Sequence, residues 1–477
     1  MNPPGLRPLL RWAEIGDLPA IIALACTAGV ISVVGSSCAV STAPGPVEAS
    51  SATPTSRTGS ARAPGEPTVR VRIAADRESS TITGPALVSL RPERRPELSR
   101  TLRTPLVVRR HDSAWTLRDG SGATVSIPLA WPADRREGLQ IRSVGESVLI
   151  LDERPFAGDF VLLPSIGAPP PPGAAAASPG AGGAASPGRF DVIEHVGVEI
   201  YLEGVVSKEL LRTWSLNAYK AQAIAARAYA LHERERSMSL GELFDLEAGE
   251  LDQAYAGSAG HPTAARAVAE TRGVVLTFGG GLLRAYYSST CGGRSASAKD
   301  VWPTTRGFEF NLAAPLQGHP REDPCHASPR FRWTVTRPKD DVTRRLAAFG
   351  RDQGLAIRGI RSISKVEMAR ANEYGRPSQY RVFDADGRSW TLTAEQLRTG
   401  CNWTGSSGLP AVTAQTRVYS GDAEFTVERN TVTIRGRGFG HGVGLCQYGC
   451  EAMARQGREP TQILMHYYPG ARIERAY

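Results

Sequence analysis

Four short segments carry residue types and spacings able to do chemistry. The first is YLEGVVSKELLRTW (201–214), where Glu209 is flanked by Leu210, Leu211 and Trp214. A carboxyl held against apolar surface keeps its proton to higher pH, because desolvation penalises the anion. Such a group suits the general acid of a glycosidic cleavage; a surface Glu ahead of a helix is the plainer reading. The second is AYYSSTCGGRS (285–295), where Cys291 follows several hydroxyls and opens a Gly-Gly turn. As a nucleophile Cys291 needs a His and an orienting group; no spacing singles one out, and a structural thiol or half a disulfide is the simpler role. The third is DPCH (323–326). Cys325 and His326, with Cys291, offer two thiolates and an imidazole, a set suited to tetrahedral zinc, while a Cys291–Cys325 disulfide competes with it. The fourth is RGRGFGHGVGLCQYG (435–449), a glycine run carrying His441 and Gln447. It lacks both the Gly-Lys-Ser/Thr ending and the GxGxxG pattern of phosphate loops. Its glycines imply close backbone approach to a ligand or to neighbouring chain.

The elements that must position these residues can be read around them. Residues 215–236 form an Ala-rich stretch of high helix propensity, with Thr213 or Ser215 available as N-cap. Phe190–Leu202, rich in β-branched residues, reads as one or two strands. Two hairpins are signalled: Val274–Phe278 with Leu282–Tyr287 around a glycine triplet, and Glu424–Glu428 with Thr431–Arg435. A last helix is expected from about Gln447 to Gln456, stopped by Gly457. Residues 69–165 alternate apolar and polar with period two and are punctuated by turn signals. The pattern is α+β: a mixed, β-rich domain with a few helices over 189–477, preceded by a small β-rich module over 68–166 that is either an accessory unit or the first layer of a larger domain.

Composition bounds the rest. The chain has 477 residues, of which Gly (50) and Pro (34) approach a fifth. Two stretches concentrate them, a tether at 39–67 and a Pro/Ala/Gly segment at 167–188 with almost no side chain able to build a core. Residues 1–38 carry Arg7 and Arg11, an apolar run from Leu18 to Val34, then Gly-Ser-Ser-Cys38. They read as a signal peptide or membrane anchor, with Cys38 at a lipoprotein-like position. The bulk of the chain is therefore expected outside the cytoplasm, in the cell envelope. Five of the seven cysteines lie in that exported body, where disulfides are permitted. The net charge of +9 suits an anionic neighbour. It is spread among acidic residues without a basic run, which argues against nucleic acid.

Taken in order, these segments resemble the SpoIID/LytB family. The resemblance runs through YLxGVVxxE (201–209), AxKAQAxAARxYAL (218–231), DQxYxG (252–257), TRGVV (271–275), YSSTCGG (287–293), GFGHGVGLCQYG (438–449) and HYYPG (466–470), covering about 190–477. It implies a peptidoglycan lytic transglycosylase that cleaves MurNAc–GlcNAc strands stripped of stem peptides, leaving 1,6-anhydro ends. Glu209 would be its single acid/base. A glycan-binding activator of a cell-wall amidase is the alternative the family also implies. On the same resemblance Arg227, Gln253, Tyr255, Ser289, His441 and Gln447 are the polar groups expected to bind substrate. No cofactor is required, but family zinc near the Cys-Gly-Gly segment favours Cys291, Cys325 and His326 as metal ligands. The implied partners are glycan strands, a cell-wall amidase and, through the N-terminus, a membrane. The chain departs from the family at Glu209-Leu-Leu, where Glu-Met-Pro is common, and at Cys446 and Cys450, which replace a frequent Ser and a usual Ala. Cys446 and Cys450 lie one helical turn apart, able to face each other or Cys401.

Overall fold

A computed structural model describes residues 65–477, apart from 112, 130–137, 146, 166–187, 250, 251, 259, 321–323, 406 and 407. The N-terminal anchor, nearly all of the tether and nearly all of the 167–188 segment lie outside the described residues. Among the described residues no helix is long and apolar enough to cross a membrane.

The period-two alternation of residues 68–164 builds two sheets. In Thr68–Arg77, Val69 and Val71 point inward while their neighbours are half-exposed. One sheet has six strands, in the order Arg154–Phe156, Leu149–Leu151, Ser79–Thr83, Leu106–Arg110, Ala114–Arg118, Thr124–Pro128. The other has seven: Leu246–Glu247, Thr68–Arg77, Phe190–Gly197, Asp159–Pro164, Leu139–Ser143, Leu87–Pro92, Arg100–Arg103. Trp115 of the first meets Phe190 of the second edge to face, with ring centroids 5.4 Å apart.

Phe190–Gly197 sits between Thr68–Arg77 and Asp159–Pro164, antiparallel to both, with Pro164 paired to Phe190. The Pro/Ala/Gly segment thus connects two neighbouring strands of one sheet. A single apolar cluster runs from Val69 to Ala471, so the module and the domain that composition separates at 167–188 share a sheet and a core.

Phe190–Leu202 is not all strand. The strand ends at Gly197 and a helix runs from Val198 to Glu209. β-Branched content suggested extended chain, but the buried positions Val198, Tyr201, Leu202, Val205 and Val206 are spaced three and one apart, which is one face of a helix. Glu209 continues that stripe. The long helix Leu216–Leu240 begins after Ser215, as expected, and buries Ala218, Ala221, Ala223, Ala225, Ala226, Ala228 and Ala230. Its small side chains let neighbouring elements close in around it. Gly241, at φ +67°, ends it with the left-handed residue that favours glycine.

The hairpin Ala423–Val427 with Thr431–Gly436 forms as expected, whereas the other is shorter: Val274–Phe278 pairs with Gly281–Leu282, which stops there, and Tyr287 pairs with Leu445 instead. The helix Gln447–Arg455 forms but is not the last. Pro460–Tyr467 follows, and then the strand Arg472–Arg475, which pairs with Val274–Phe278. Residues 333–436 build a second core around Val342, Leu346, Tyr380, Val382 and Ile434. Cys401 belongs to this second core, whereas Cys446 and Cys450 belong to the first, so Cys401 does not meet them.

Candidate active site

Glu209 is the last residue of its helix, and two donors hold its carboxyl. The Ala254 backbone N–H donates to Oε1 at 3.0 Å and Gln447 Nε2 donates to Oε2 at 2.9 Å. The chain's exit is anchored without the family's proline: Leu210 is buried and its N–H closes onto the Val206 carbonyl at 3.2 Å.

The Ala254 donor is delivered by the loop 252–257, which is fixed from beneath. Gln253 accepts from the Tyr201 hydroxyl at 3.1 Å and donates to the Ala226 carbonyl at 3.2 Å. Tyr255 donates to Glu194 Oε2 at 2.8 Å and packs against Tyr201 and Phe156. Gly204 on the Glu209 helix lets this loop approach, since a Cβ there would stand 2.3 Å from the Gly257 carbonyl oxygen. Gln253 and Tyr255 are therefore buried supports of the loop. Glu194 is itself buried, and desolvation pushes its carboxyl up to about 7.

Gln447 comes from the other end of the chain. The strand Tyr287–Ser288 pairs in parallel with Leu445–Cys446, and Gln447 begins the next helix. Ser289 lies alongside: its carbonyl accepts from the Tyr448 N–H at 3.1 Å, and its hydroxyl is half-buried beside Thr290. Tyr287, within the motif that contains Ser289, also belongs to the site. Its hydroxyl is buried beside Glu209 and Gln253; burial, and then the charge of Glu209, push its pKa up, against the contact with Gln253. The motif carried the signal for Tyr287, but residue type alone favoured the hydroxyl of Ser289 over the ring.

The glycine run approaches chain rather than an open groove. A Cβ on Gly444 would fall 2.0 Å from the Tyr286 carbonyl oxygen, and one on Gly442 would fall 2.6 Å from the Arg376 guanidinium carbon. Arg376, from the second core, donates to the carbonyls of Cys291 and Arg294 at 2.8 Å and of His441 at 3.2 Å, clamping the Cys291 turn to the glycine run. No motif marked Arg376, whose guanidinium hydrogen-bonds to backbone oxygens and stands 3.9 Å from the Asp422 carboxylate.

Two expected site residues stand apart from Glu209. Arg227 is fully buried and grips Glu199 with both ends, Nε at 3.1 Å and Nη2 at 2.7 Å, while Nη1 donates to the Val274 carbonyl at 2.9 Å. His441 lines a small pocket with Ser297, Asp300, Asn372, Arg376 and Glu395, at the junction of the two cores. Its Nδ1 accepts from the Val443 N–H at 3.1 Å, and burial pushes its pKa down to about 4 against the opposing pull of Glu395.

The cysteines only partly follow expectation. Cys291 and Cys325 meet with sulphurs 3.7 Å apart and no bond between them. His326 is exposed, and the third member of the group is Cys446.

Fold and site together define a mixed α+β protein with one carboxyl held between a loop amide and a side-chain amide. Residues 186–278 match the family model described as SpoIID, Stage II sporulation protein. The chain is 27% identical over 304 residues to the amidase enhancer of Bacillus subtilis (strain 168), a match spanning 57% of this chain and 40% of that relative. It is 26% identical over 302 residues to the stage II sporulation protein D of the same organism, spanning 60% of this chain and 76% of the relative. An uncharacterised protein of Brachyspira hyodysenteriae is 26% identical over 285 residues. The chain is thus similar to SpoIID proteins over residues 186–278 and to these relatives over a longer span, and the match spans well under half the length of the amidase enhancer.

Proposed function

We propose that this chain is an exported, envelope-tethered lytic transglycosylase acting on peptidoglycan glycan already stripped of stem peptides. The observation that carries the reading is Glu209 fixed between Ala254 N–H and Gln447 Nε2, with the buried Tyr287 hydroxyl beside it. A hydrolase of the common two-carboxylate kind needs a second acid across the bond. The nearby acids are engaged elsewhere: Asp252 accepts from the Tyr229 hydroxyl and the Glu247 N–H, and Glu194 from Tyr255 and Gly158. One carboxyl is enough when the substrate supplies its own nucleophile. Glu209 gives its proton to the glycosidic oxygen as the C1–O bond breaks. The resulting carboxylate takes the proton of the muramyl 6-hydroxyl as O6 bonds to C1. The carboxyl ends protonated, no water is consumed, and the product is a 1,6-anhydro end.

The name of the amidase enhancer relative favours a second reading, a glycan-binding activator of a cell-wall amidase that does not cut. One experiment separates the two. Denuded and intact peptidoglycan are digested with wild type and Glu209→Gln, and products are read by mass. The first reading requires anhydromuramyl ends from wild type and a loss of about 10²- to 10⁴-fold in the variant, the usual contribution of general acid–base catalysis. Wild type that pellets with glycan and stimulates an amidase, but releases no such ends, establishes the second.

A further inference from the structure

The positive charge of this chain forms no run in the sequence, yet the fold gathers arginines from four segments at one turn. Gly292 and Gly293 both adopt left-handed backbone, at φ +74° and +88°. A Cβ on Gly292 would fall 2.7 Å from the Cβ of Arg437, so glycine lets that residue close on the turn. Arg332 Nη1 donates to the Gly292 carbonyl at 3.2 Å, and its guanidinium lies over the Phe331 ring, 4.1 Å from the centroid. Arg376 donates to the carbonyls of Cys291 and Arg294 at 2.8 Å. Arg330, whose carbonyl accepts from the Gly438 N–H at 2.9 Å, lies over Tyr419 at 4.3 Å.

One buried carboxylate answers these cations. Asp422 takes Arg294 with both oxygens, at 3.2 and 2.5 Å, and stands 3.9 Å from Arg376. Among the described residues Arg330, Arg332 and Arg437 have no carboxylate partner. Arg332 is exposed, and Arg330 and Arg437 are half-buried. Desolvation, and then the like charge of Arg437, push the Arg332 pKa down against the pull of Asp422. Like charges held together in this way favour an anion from outside. The stacking rings hold two of the guanidiniums in place, and a guanidinium can meet a carboxylate with two parallel N–H···O bonds.

The occupant follows from what the turn adjoins. Tyr287, beside Glu209, leads along the chain into the turn. The Cys291 N–H donates to the Cys446 sulphur at 3.3 Å, which ties the turn to the residue before Gln447. Removing the stem peptides from glycan leaves a free lactyl carboxylate on each muramyl residue, where an amide stood before. A strand lying from Glu209 across the turn carries such a carboxylate on every second sugar.

We propose that Arg330, Arg332 and Arg437 form an anion-binding surface at the Gly292–Gly293 turn that takes the free lactyl carboxylates of stripped glycan. The proposal rests on the reading that stripped glycan is the ligand, and it holds whether or not Glu209 cuts that glycan. It also gives the chain a means of preferring stripped strands, because the lactyl amide of intact glycan carries no charge at that position.

The test is pelleting of the full chain with stripped glycan, and with the same glycan after its lactyl carboxylates are converted to methylamides. Arg330→Gln combined with Arg332→Gln removes two guanidiniums. Arg266→Gln, at an exposed arginine of the helix Pro262–Glu270, is the control. Two charge-assisted contacts on a partly exposed surface correspond to roughly 5- to 30-fold in affinity. That loss is expected for the double variant on untreated glycan and for wild type on the methylamide, while Arg266→Gln matches wild type. On the methylamide the double variant and wild type should bind alike, and added salt should weaken wild type on untreated glycan more than the variant. The methylamide comparison needs wild type alone, so it decides even if the double variant fails to fold. Wild type that binds both glycans equally, a double variant equal to wild type on untreated glycan, or competition by poly(glycerol phosphate) with no effect of methylamidation overturns the surface and leaves glycan binding standing. Wild type that pellets with neither glycan overturns the proposal together with the reading it rests on.

Discussion

Gln447 Nε2 donates to Glu209 Oε2 at 2.9 Å across 238 residues of sequence. The helix beginning at Gln447 also turns its partially positive N-terminus toward the carboxyl, while Glu209 ends its own helix at the partially negative pole. A side-chain amide therefore holds the Glu209 oxygen that Ala254 does not hold.

If Glu209 is the acid/base, Gln447→Ala removes its orientation without touching the carboxyl. A hydrogen bond to a charged group contributes about 1.5–3 kcal/mol, so release of anhydromuramyl ends should fall by roughly 10- to 100-fold. Pelleting with denuded glycan should stay near wild type. Equal losses in cutting and pelleting would instead make Gln447 a direct glycan contact.

Arg227 is a structural cation by its geometry. Arg227→Met leaves the Glu199 carboxylate buried without its partner, and breaking such a pair costs about 3–5 kcal/mol. Urea denaturation should show a correspondingly lower midpoint, and Glu199→Gln added to Arg227→Met should restore part of it. A residue that bound glycan from the surface would weaken pelleting and leave the midpoint unchanged.

Glu194 makes stability pH-dependent in a defined direction. Its folded pKa of about 7 lies above the ordinary value of 4.5. Between those values the unfolded chain has released a proton that the native chain keeps, so stability falls as pH rises through that window and levels off above about 7. The full loss is about 3 kcal/mol. Glu194→Gln, whose amide can serve both Tyr255 and Gly158, should be more stable than wild type at pH 8 and equal to it near pH 4.5, read by thermal melts in matched buffers. Parallel pH profiles for the two proteins would dismiss the idea. At the acid end His195 and His441, both pushed down to about 4 by burial, act oppositely: the unfolded chain gains protons below about 6.5 that the native chain refuses, so stability declines toward pH 4.

Local signals carried much of the fold. The Ala-rich run, the glycine after Leu240 and both hairpin turns state their structure within a few residues, where propensity and turn chemistry act. Val198–Glu209 failed that way because its β-branched residues argue for strand, while the spacing of its buried positions argues for helix; packing against the long helix favoured the spacing. The second core at 333–436 gave no warning, since its strands and helices resemble those around them and only contact separates one core from another.

The site divides along the same line. Sequence singled out Glu209 and Gln447 as a carboxyl and an amide in ordered motifs that resemble the SpoIID/LytB family, and the structure brings the two into contact. Sequence could not say which of the remaining polar residues face a substrate. Arg227, Gln253 and Tyr255 have the right chemistry for sugar, yet their partners are Glu199, Tyr201 and Glu194, reached 28, 52 and 61 residues away. The glycines of 438–444 could serve a ligand or neighbouring chain equally well, until the Tyr286 carbonyl and the Arg376 guanidinium are placed against them. Cys446 rather than His326 beside Cys291 is likewise a matter of which side chains point inward. A side chain's type sets what it can bond, but burial and the partner delivered by distant chain decide what it does.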